Sequence, residues 1–410
     1  MNVGIEAIDF YGGRAFLDIR RLFETRKLDL RRFDNLMLRR KSVALPCEDP
    51  VSFSVNAAKP LLDRLTAEER NKIELLVTAT ESGLDFGKSL STYIHHHLGL
   101  NRACRVFEIK QACYGGTAAL QTALGFVASQ HSPGAKALVV ATDIAKAAVK
   151  GSYVEPSQGA GAVAMLVSDR PEILEIDQGA SGFHTYEVMD SCRPTPEIET
   201  GDSDLSLLAY LDCLEQSFKA YAAKVEGADF VETFDFLAFH TPFPGMVKGA
   251  HRMLMRKLKK CSPAVSDEDF GRRVAPSLSY CVEVGNIYSA TVYLALCSVI
   301  DSVAVDVPKR IGLYSYGSGC CAEFFSGIVT PQSKAKLSQL RKRESLDDRN
   351  ELTMPEYDAV LERSLEWTFG IKDKVVDVAP YQELYNRALA GKGLLVLKQI
   401  KEYHREYEWS

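Results

Sequence analysis

The chain has 410 residues, 46% hydrophobic and 25% charged, with a formal net charge of -5 at pH 7, enough to bury a sizeable core as one large or two fused domains. Its lysines and arginines are interleaved with acids rather than gathered into a basic stripe, which excludes a nucleic-acid partner. The opening MNVGIEAIDF lacks a basic-then-apolar leader, the longest apolar runs are too short for a bilayer, and ten cysteines at irregular spacings form no CxxC pair; a cytoplasmic protein with neither a disulfide framework nor a zinc site is expected.

In chain order, six short β-branched apolar runs stop abruptly at a polar or glycine-flanked residue. They are IELLVTAT before Glu81, CRVFEIKQA before Cys113, ALVVATD at Asp143, FDFLAFH at His240, SLSYCVEVGN at Asn286 and RIGLYSYGSG at Ser318. Such runs predict central strands of covered parallel sheets, with helices over TAALQTALGFVASQ and YSATVYLALCSVI between them. The expected class is therefore α/β. Three strand ends come from each half, so two similar units, 1–170 and 171–410, are expected to face one site beyond the carboxyl ends of their strands. From about Pro331 the chain becomes charged, and KAKLSQLRKRESLDDRNEL and LVLKQIKEYHREYEW read as a helical surface appendage. The HHH at 95–97 is no metal site, because successive helical residues point about 100° apart.

Cys113 falls at a strand-to-helix junction, followed by Gly115 and Gly116. A helix N-terminus favours a thiolate and offers free N–H groups to a developing oxyanion. Alone, one cysteine among ten reads equally as a small packing residue. Glu81 and His240 at neighbouring strand ends change that, because a thiol, a carboxylate and an imidazole at one site support nucleophilic and acid–base chemistry.

The motifs TATESGLDFGKS, KQACYGGTAAL, EPSQGAGAVAML, FHTPFPGMVKGAH, VGNIYSA and YSYGSGCC, in this order over nearly the whole chain, resemble the 3-hydroxy-3-methylglutaryl-CoA (HMG-CoA) synthases of the thiolase superfamily. The resemblance implies a thiolase-like, layered αβαβα fold and a homodimer. It makes Cys113 the acylated nucleophile, Glu81 the general acid/base, and His240 the residue that binds and polarises the β-carbonyl of the acceptor. Asn286 would orient the acceptor, the N–H groups of Cys113 and Ser318 would form the oxyanion hole, and Asp143 would support the site; Ser157, Ser206 and Lys248 are the further substrate-binding residues it implies. It calls for no metal, nucleotide or redox cofactor.

Phrases such as ALPCEDPVSFSVNAAKP, YEVMDSCRP and GDSDLSLLAYLDC look like the branch of the family that installs β-branches in polyketide pathways. That branch takes its substrates on the phosphopantetheine arms of a donor and an acceptor acyl carrier protein (ACP). Where the resemblance places coenzyme A-contacting lysines in mevalonate-type enzymes, this chain has Gly245, with Lys248 the only nearby cation. RRLFETRKLDLRRFDNLMLRRK, with Arg39 and Arg40 near its end, and HRMLMRKLKK read equally as docking surfaces for an acidic carrier and as solvated helix faces. Two departures touch the acyl pocket: Gly115 replaces a serine of that branch, and AKAAVKGSYV is a shortened segment. Acetyl is the expected donor group, with propionyl left open. The competing readings are a mevalonate-type synthase using free CoA thioesters, a thiolase or ketosynthase III that needs no Glu81, and an ACP-docking scaffold that needs no thiol.

Overall fold

The structure, a computed structural model, describes residues 2–145, 149–195 and 198–410. Nine strands form one continuous mixed sheet: β1 Gly4–Tyr11, β2 Ile73–Ala79, β3 Arg105–Ile109, β4 Lys136–Ile144, β5 Ala160–Ser168, β6 Leu174–Thr185, β7 Phe236–Phe239, β8 Lys309–Gly317 and β9 Cys321–Val329. Their order is β7-β8-β9-β6-β1-β5-β4-β2-β3. The four strands after residue 170 are joined to the first five where Gly4 and Ile5 pair with Glu175 and Leu174. All nine residues of β5, AGAVAMLVS, are buried, the signature of a strand covered on both faces.

Alternation along the strands explains the layering. Val77, Val139 and Val163 of the first half, with Ile311, Leu313 and Phe325 of the second, enclose two helices named by position, Gly115–Ala128 and Thr291–Ser302. Residues 291–300 of the latter are all buried, as expected of a helix that is apolar all round. Leu76, Leu138 and Val140 point the other way, onto the helix Pro50–Leu62. In the second half Phe239, Tyr314 and Tyr316 face the helices Ser203–Lys224 and Pro244–Lys259. In chain order these five helices are α1 Pro50–Leu62, α2 Gly115–Ala128, α3 Ser203–Lys224, α4 Pro244–Lys259 and α5 Thr291–Ser302. The arrangement is αβαβα, with α2 and α5 as its central layer. Each fully buried valine or leucine there contributes about 1.5–3 kcal/mol of transfer free energy.

Three expectations are corrected. The sheet is mixed rather than parallel: β2 runs parallel to β3 and β4, but β5 is antiparallel to β4 and to β1. SLSYCVEVGN is no strand; it forms helical turns, including Ala275–Leu278 and Cys281–Val284, that end at Gly285 with φ +80°. A short apolar run fits a buried helix as well as a buried strand, and here Ser279 and Ser298, whose hydroxyls are 2.7 Å apart, tie it to α5. The last stretch is a hairpin, Leu395–Lys401 with His404–Trp409, turned through Glu402 and Tyr403 at positive φ, the geometry favoured by two-residue hairpin loops.

That hairpin is locked to the first half of the molecule. Asn56 of α1 donates to the carbonyl of Leu395 at 3.1 Å and accepts from its N–H at 2.8 Å. Buried Arg405 donates to buried Asp49 at 3.1 Å and to the carbonyl of Trp367 at 2.6 Å, while the Tyr407 hydroxyl donates to Asp49 at 2.7 Å. Breaking one side of a buried pair strands the other charge in a medium that cannot solvate it. Arg405→Met is therefore expected to cost about 3–5 kcal/mol, read as a lowered denaturation midpoint, whereas a midpoint within error of the parent would place the pair outside the stabilising core.

Candidate active site

Asp143, near the end of β4, is fully buried and organises the first half of the site. One of its oxygens accepts from the Thr80 hydroxyl at 3.0 Å, the Glu81 N–H at 2.7 Å and the Ser82 hydroxyl at 3.0 Å. The other accepts from Ser289, through its hydroxyl at 2.7 Å and its N–H at 3.3 Å. Burial pushes the Asp143 carboxyl up from the ordinary carboxylate range, and these donors hold it back. The three residues after β2 are thereby fixed to the neighbouring strand.

Cys113 lies in the turn between β3 and α2, directly after Ala112, whose φ of +43° places a non-glycine residue in the left-handed region, a strain that accompanies functional turns. Its Sγ–H donates to Oε1 of Glu81 at 3.0 Å. Gly317 at the end of β8 allows the second half to reach this turn, since a Cβ there would lie 2.6 Å from both the Gln111 carbonyl oxygen and the Tyr114 nitrogen. Ser318 follows at once. Among the described residues, neither the Cys113 nor the Ser318 backbone N–H has a hydrogen-bond acceptor, so both remain free to donate to a substrate.

The electrostatics differ from the expectation drawn from the helix terminus. Burial, and then the neighbouring Glu81 and Asp143 charges, push the Cys113 thiol well above its ordinary range; the resting group is a neutral thiol, because desolvation and a carboxylate in contact outweigh the partial charge of one helix end. Glu81 is pushed up to about 7, first by burial and then by Asp143, with Arg193 opposing. A carboxylate that titrates near neutrality is suited to taking and returning protons.

In the second half, His240 follows β7 and is held by its backbone: its N–H donates to the Tyr314 carbonyl at 2.7 Å, and its carbonyl accepts from the Tyr210 hydroxyl at 2.8 Å. Burial pushes its imidazole down to about 3, so the ring is neutral, and its buried Nδ1 has no partner among the described residues. The oxygen of the Asn286 side chain accepts from the Tyr288 N–H at 2.9 Å and the Thr291 hydroxyl at 3.0 Å, which leaves its amide N–H groups to offer. Ser157 touches this residue through its carbonyl, which accepts from the Asn286 N–H at 2.7 Å, while its hydroxyl donates to the Val154 carbonyl at 3.1 Å. Ser206 sits in the first turn of α3, one helical turn before Tyr210 and so on the same face.

Lys248 joins no member of this group. It pairs with Asp267 at 3.6 Å, and Arg252 grips the same carboxylate at 2.7 and 2.9 Å. Arg39 and Arg40 are likewise engaged, both by the buried carboxylate of Glu283. A Cβ on Gly245 would overlap the carbonyl oxygen of Asn35; the helix Leu30–Leu36 occupies the space that a side chain there would need. At Gly115 a Cβ would make an ordinary contact with Ala79 at 3.4 Å, so this departure is one of chemistry and not of room. Of the shortened segment, residues 146–148 lie outside the described residues. His95 and His97 diverge, the first to the Asn101 carbonyl and the second to the ring of Tyr407, and no cluster suited to a metal occurs among the described residues.

Sequence reasoning misses Ser289 and Arg193. Ser289 lies inside the quoted VGNIYSA, but only the folded chain brings it to Asp143. Arg193 bonds the carbonyl of Glu81 at 3.0 Å across 112 positions, and no periodicity or motif signals that.

A neutral thiol bonded to a carboxylate of shifted pKa, at the strand ends of an αβαβα fold, defines a thiolase-like acyl-transfer enzyme. Family models described as hydroxymethylglutaryl-coenzyme A synthase N terminal and C terminal match residues 1–171 and 248–407, and the chain belongs to that family. It is 52% identical to the polyketide biosynthesis 3-hydroxy-3-methylglutaryl-ACP synthase PksG of Bacillus subtilis, over 100% of this chain and 99% of that protein. It is 36% identical to the hydroxymethylglutaryl-CoA synthase of Enterococcus faecalis, over 89% and 93% of the two chains. Among solved structures, the HMG synthase of the curacin biosynthetic pathway, also crystallised in complex with acetyl donor-ACP, superimposes with a TM-score of 0.97 at 54% identity over the full length of both chains.

Proposed function

We infer that this enzyme condenses a Cys113-bound acetyl group, delivered by a donor ACP, with the β-ketone of a polyketide intermediate on an acceptor ACP. The observation that carries the chemistry is the 3.0 Å bond from the Cys113 thiol to Glu81. As the thiol attacks the acetyl thioester, Glu81 receives its proton, the free N–H groups of Cys113 and Ser318 hold the oxyanion, and Glu81 returns that proton to the carrier thiol as it leaves. The ionised Glu81 next removes a proton from the acetyl methyl. The enolate, held by the same N–H donors, attacks the acceptor ketone.

His240 is neutral, so it binds the new alkoxide by an N–H hydrogen bond rather than surrendering a proton from an imidazolium; the proton that completes the hydroxyl returns from Glu81. Asn286 orients the acceptor, with Ser157 beside it, and Ser206 lies at the approach to His240. Water then cleaves the Cys113 thioester and leaves a free carboxylate. Every step runs on protein side chains and pantetheine-borne substrates, with acetyl as the donor group.

Carrier-borne delivery is supported by the similarity to PksG and the curacin synthase, and by the helix Leu30–Leu36 packed against Gly245. A homodimer is supported by β3, which ends the sheet next to the Cys113 turn with Phe107 38% exposed. The ten free cysteines suit the cytoplasm. The test is intact-mass measurement of Cys113 acylation with acetyl-ACP and, separately, acetyl-CoA. Transfer from the carrier should be faster by about tenfold or more and should slow as salt rises. Arg31→Glu, at a side chain 90% exposed and paired, among the described residues, only with exposed Asp29, should slow transfer from ACP and spare transfer from a small thioester. Equal, salt-insensitive rates from the two donors would return the protein to the mevalonate-type reading.

A further inference from the structure

We propose that Arg193 is a positioning residue for the condensation step, clamping Glu81 from the face opposite Asp143 and tying it to the acceptor side of the site; the proposal rests on the reading of Glu81 as acid/base. Arg193 lies on the strand Ser191–Thr195, paired with Ile198–Gly201 in a small excursion away from the main sheet. Its guanidinium is largely buried and divides its donors. Nη1 donates to the Glu81 carbonyl at 3.0 Å, and Nη2 donates to Glu199 at 2.6 Å and to the Tyr288 hydroxyl at 3.3 Å.

The backbone of Glu81 is thus held at both of its polar groups. Its N–H is fixed by the Asp143 carboxylate at 2.7 Å and its carbonyl by the Arg193 cation. With the peptides on either side of the Cα restrained, the direction of the Cα–Cβ bond is fixed, and from it the Glu81 carboxylate meets the Cys113 thiol at 3.0 Å. Misplacing a catalytic group by about 1 Å is enough to cost about 100-fold in rate. A guanidinium suits this task because it presents several donors in a rigid fork, whereas an ammonium is a single point charge on a flexible stem.

The same residue reaches the acceptor side through a short chain of contacts. The second oxygen of Glu199 accepts from the Gln158 amide at 2.5 Å, and Gln158 stands between Ser157, whose carbonyl receives the Asn286 N–H at 2.7 Å, and Gly159, whose N–H donates to the Asn286 carbonyl at 2.8 Å. Arg193 therefore spans the two centres that must meet for a carbon–carbon bond to form. The charged and titratable groups facing Glu81 are Asp143 on β4, Cys113 in its turn, and Arg193 and Glu199 on the excursion; Arg193 and Cys113 lower its proton affinity, Asp143 and Glu199 raise it.

The test uses the full-length enzyme with acetyl-ACP and a β-ketoacyl-ACP, measuring acyl-enzyme formation by mass and condensation of the pre-acylated enzyme in single turnovers across pH. Arg193→Met should still acylate to completion, which also reports an intact fold, and condense about 100-fold more slowly. The acidic limb of its condensation profile should move upward by about one pH unit, because a cation next to the base has been removed. Glu199→Gln should move that limb to lower pH, since Arg193 is then left unneutralised. Arg193→Lys should restore the limb without restoring the rate. A residue that merely supports the fold would not shift the two limbs in opposite directions. Condensation by Arg193→Met at the parental rate, or limbs that stay in place, would overturn the proposal while leaving the acid/base reading intact; a parent enzyme that acylates and never condenses would overturn both.

Discussion

Cys113→Ala is expected to abolish acyl-enzyme formation completely, with no mass gain on incubation with acetyl-ACP, while the fold persists. The substitution removes one sulfur from a turn and leaves the Ala112 geometry, α2 and the Asp143 network in place. Among the described residues no other thiol donates to a carboxylate, and most of the others are buried. Cys47, Cys213, Cys281, Cys297 and Cys320 are buried, and burial pushes Cys47, Cys213, Cys281 and Cys297 far above the ordinary thiol range. Cys104 is held up to about 11 for the same reason. A thiol in an apolar setting without a proton acceptor is inert, and among the described residues Cys113 alone donates to a carboxylate. Stoichiometric acylation of the variant at some other cysteine would sink the assignment.

Glu81→Gln is expected to separate the two half-reactions. Acylation should slow, because Glu81 accepts the Cys113 proton, but acyl-enzyme should still accumulate, because transfer to the thiol needs no proton taken from the acetyl methyl. Condensation should fall by about 100- to 10,000-fold, the usual contribution of a positioned base. In the parent enzyme the condensing form carries an ionised Glu81, so the rate should rise with pH through about 7 and then level off. A variant that, once acylated, condenses at the parental rate would give Glu81 another role.

The raised proton affinity of Glu81 acts on stability too, and its sign follows from proton counting. Between the ordinary glutamate value of 4.5 and about 7, the folded chain retains a proton that the unfolded chain has released. Folding stability therefore falls as pH rises across that window, by about 1.4 kcal/mol for each pH unit crossed, and the loss is complete above it. Glu81→Gln should remove this pH-dependent loss and leave a more stable, non-condensing protein, the familiar opposition between activity and stability at a strained site.

The strand ends are the most legible part of the sequence. Glu81, His240 and Ser318 each follow an apolar run that is a strand, because a strand covered on both faces must be apolar throughout and must stop where the site opens; Cys113 follows β3, an edge strand that carries Arg105 and Glu108 and is only partly covered. Asn286 keeps the same company for a different reason, since its run is helical and only Gly285 turns it into the site. The hairpin at Leu395–Trp409 reads as helix because its charges mask the alternation, and what fixes it is the distant pair of Asp49 and Arg405. Arg193 and Ser289 stand inside quoted motifs, YEVMDSCRP and VGNIYSA, but their roles are not legible there, as each acts through a partner more than a hundred positions away. The same holds for the ionisation of Cys113, which depends on how dry the finished site is.

Gly245 bears on how this enzyme could change its carrier. The resemblance places a coenzyme A-contacting lysine at this position in mevalonate-type enzymes, and the genetic code alone could introduce one here in a few base changes. Here the Asn35 carbonyl already stands where the first atom of a side chain would go, so the lysine cannot enter until the helix Leu30–Leu36 swings away from α4. A reversal of substrate delivery would thus have to cross a sequence of intermediates in which the old packing is broken and the new phosphate contacts are not yet made. On that packing, carrier choice at Gly245 is held by the path between two arrangements of the helices rather than by the strength of any one contact.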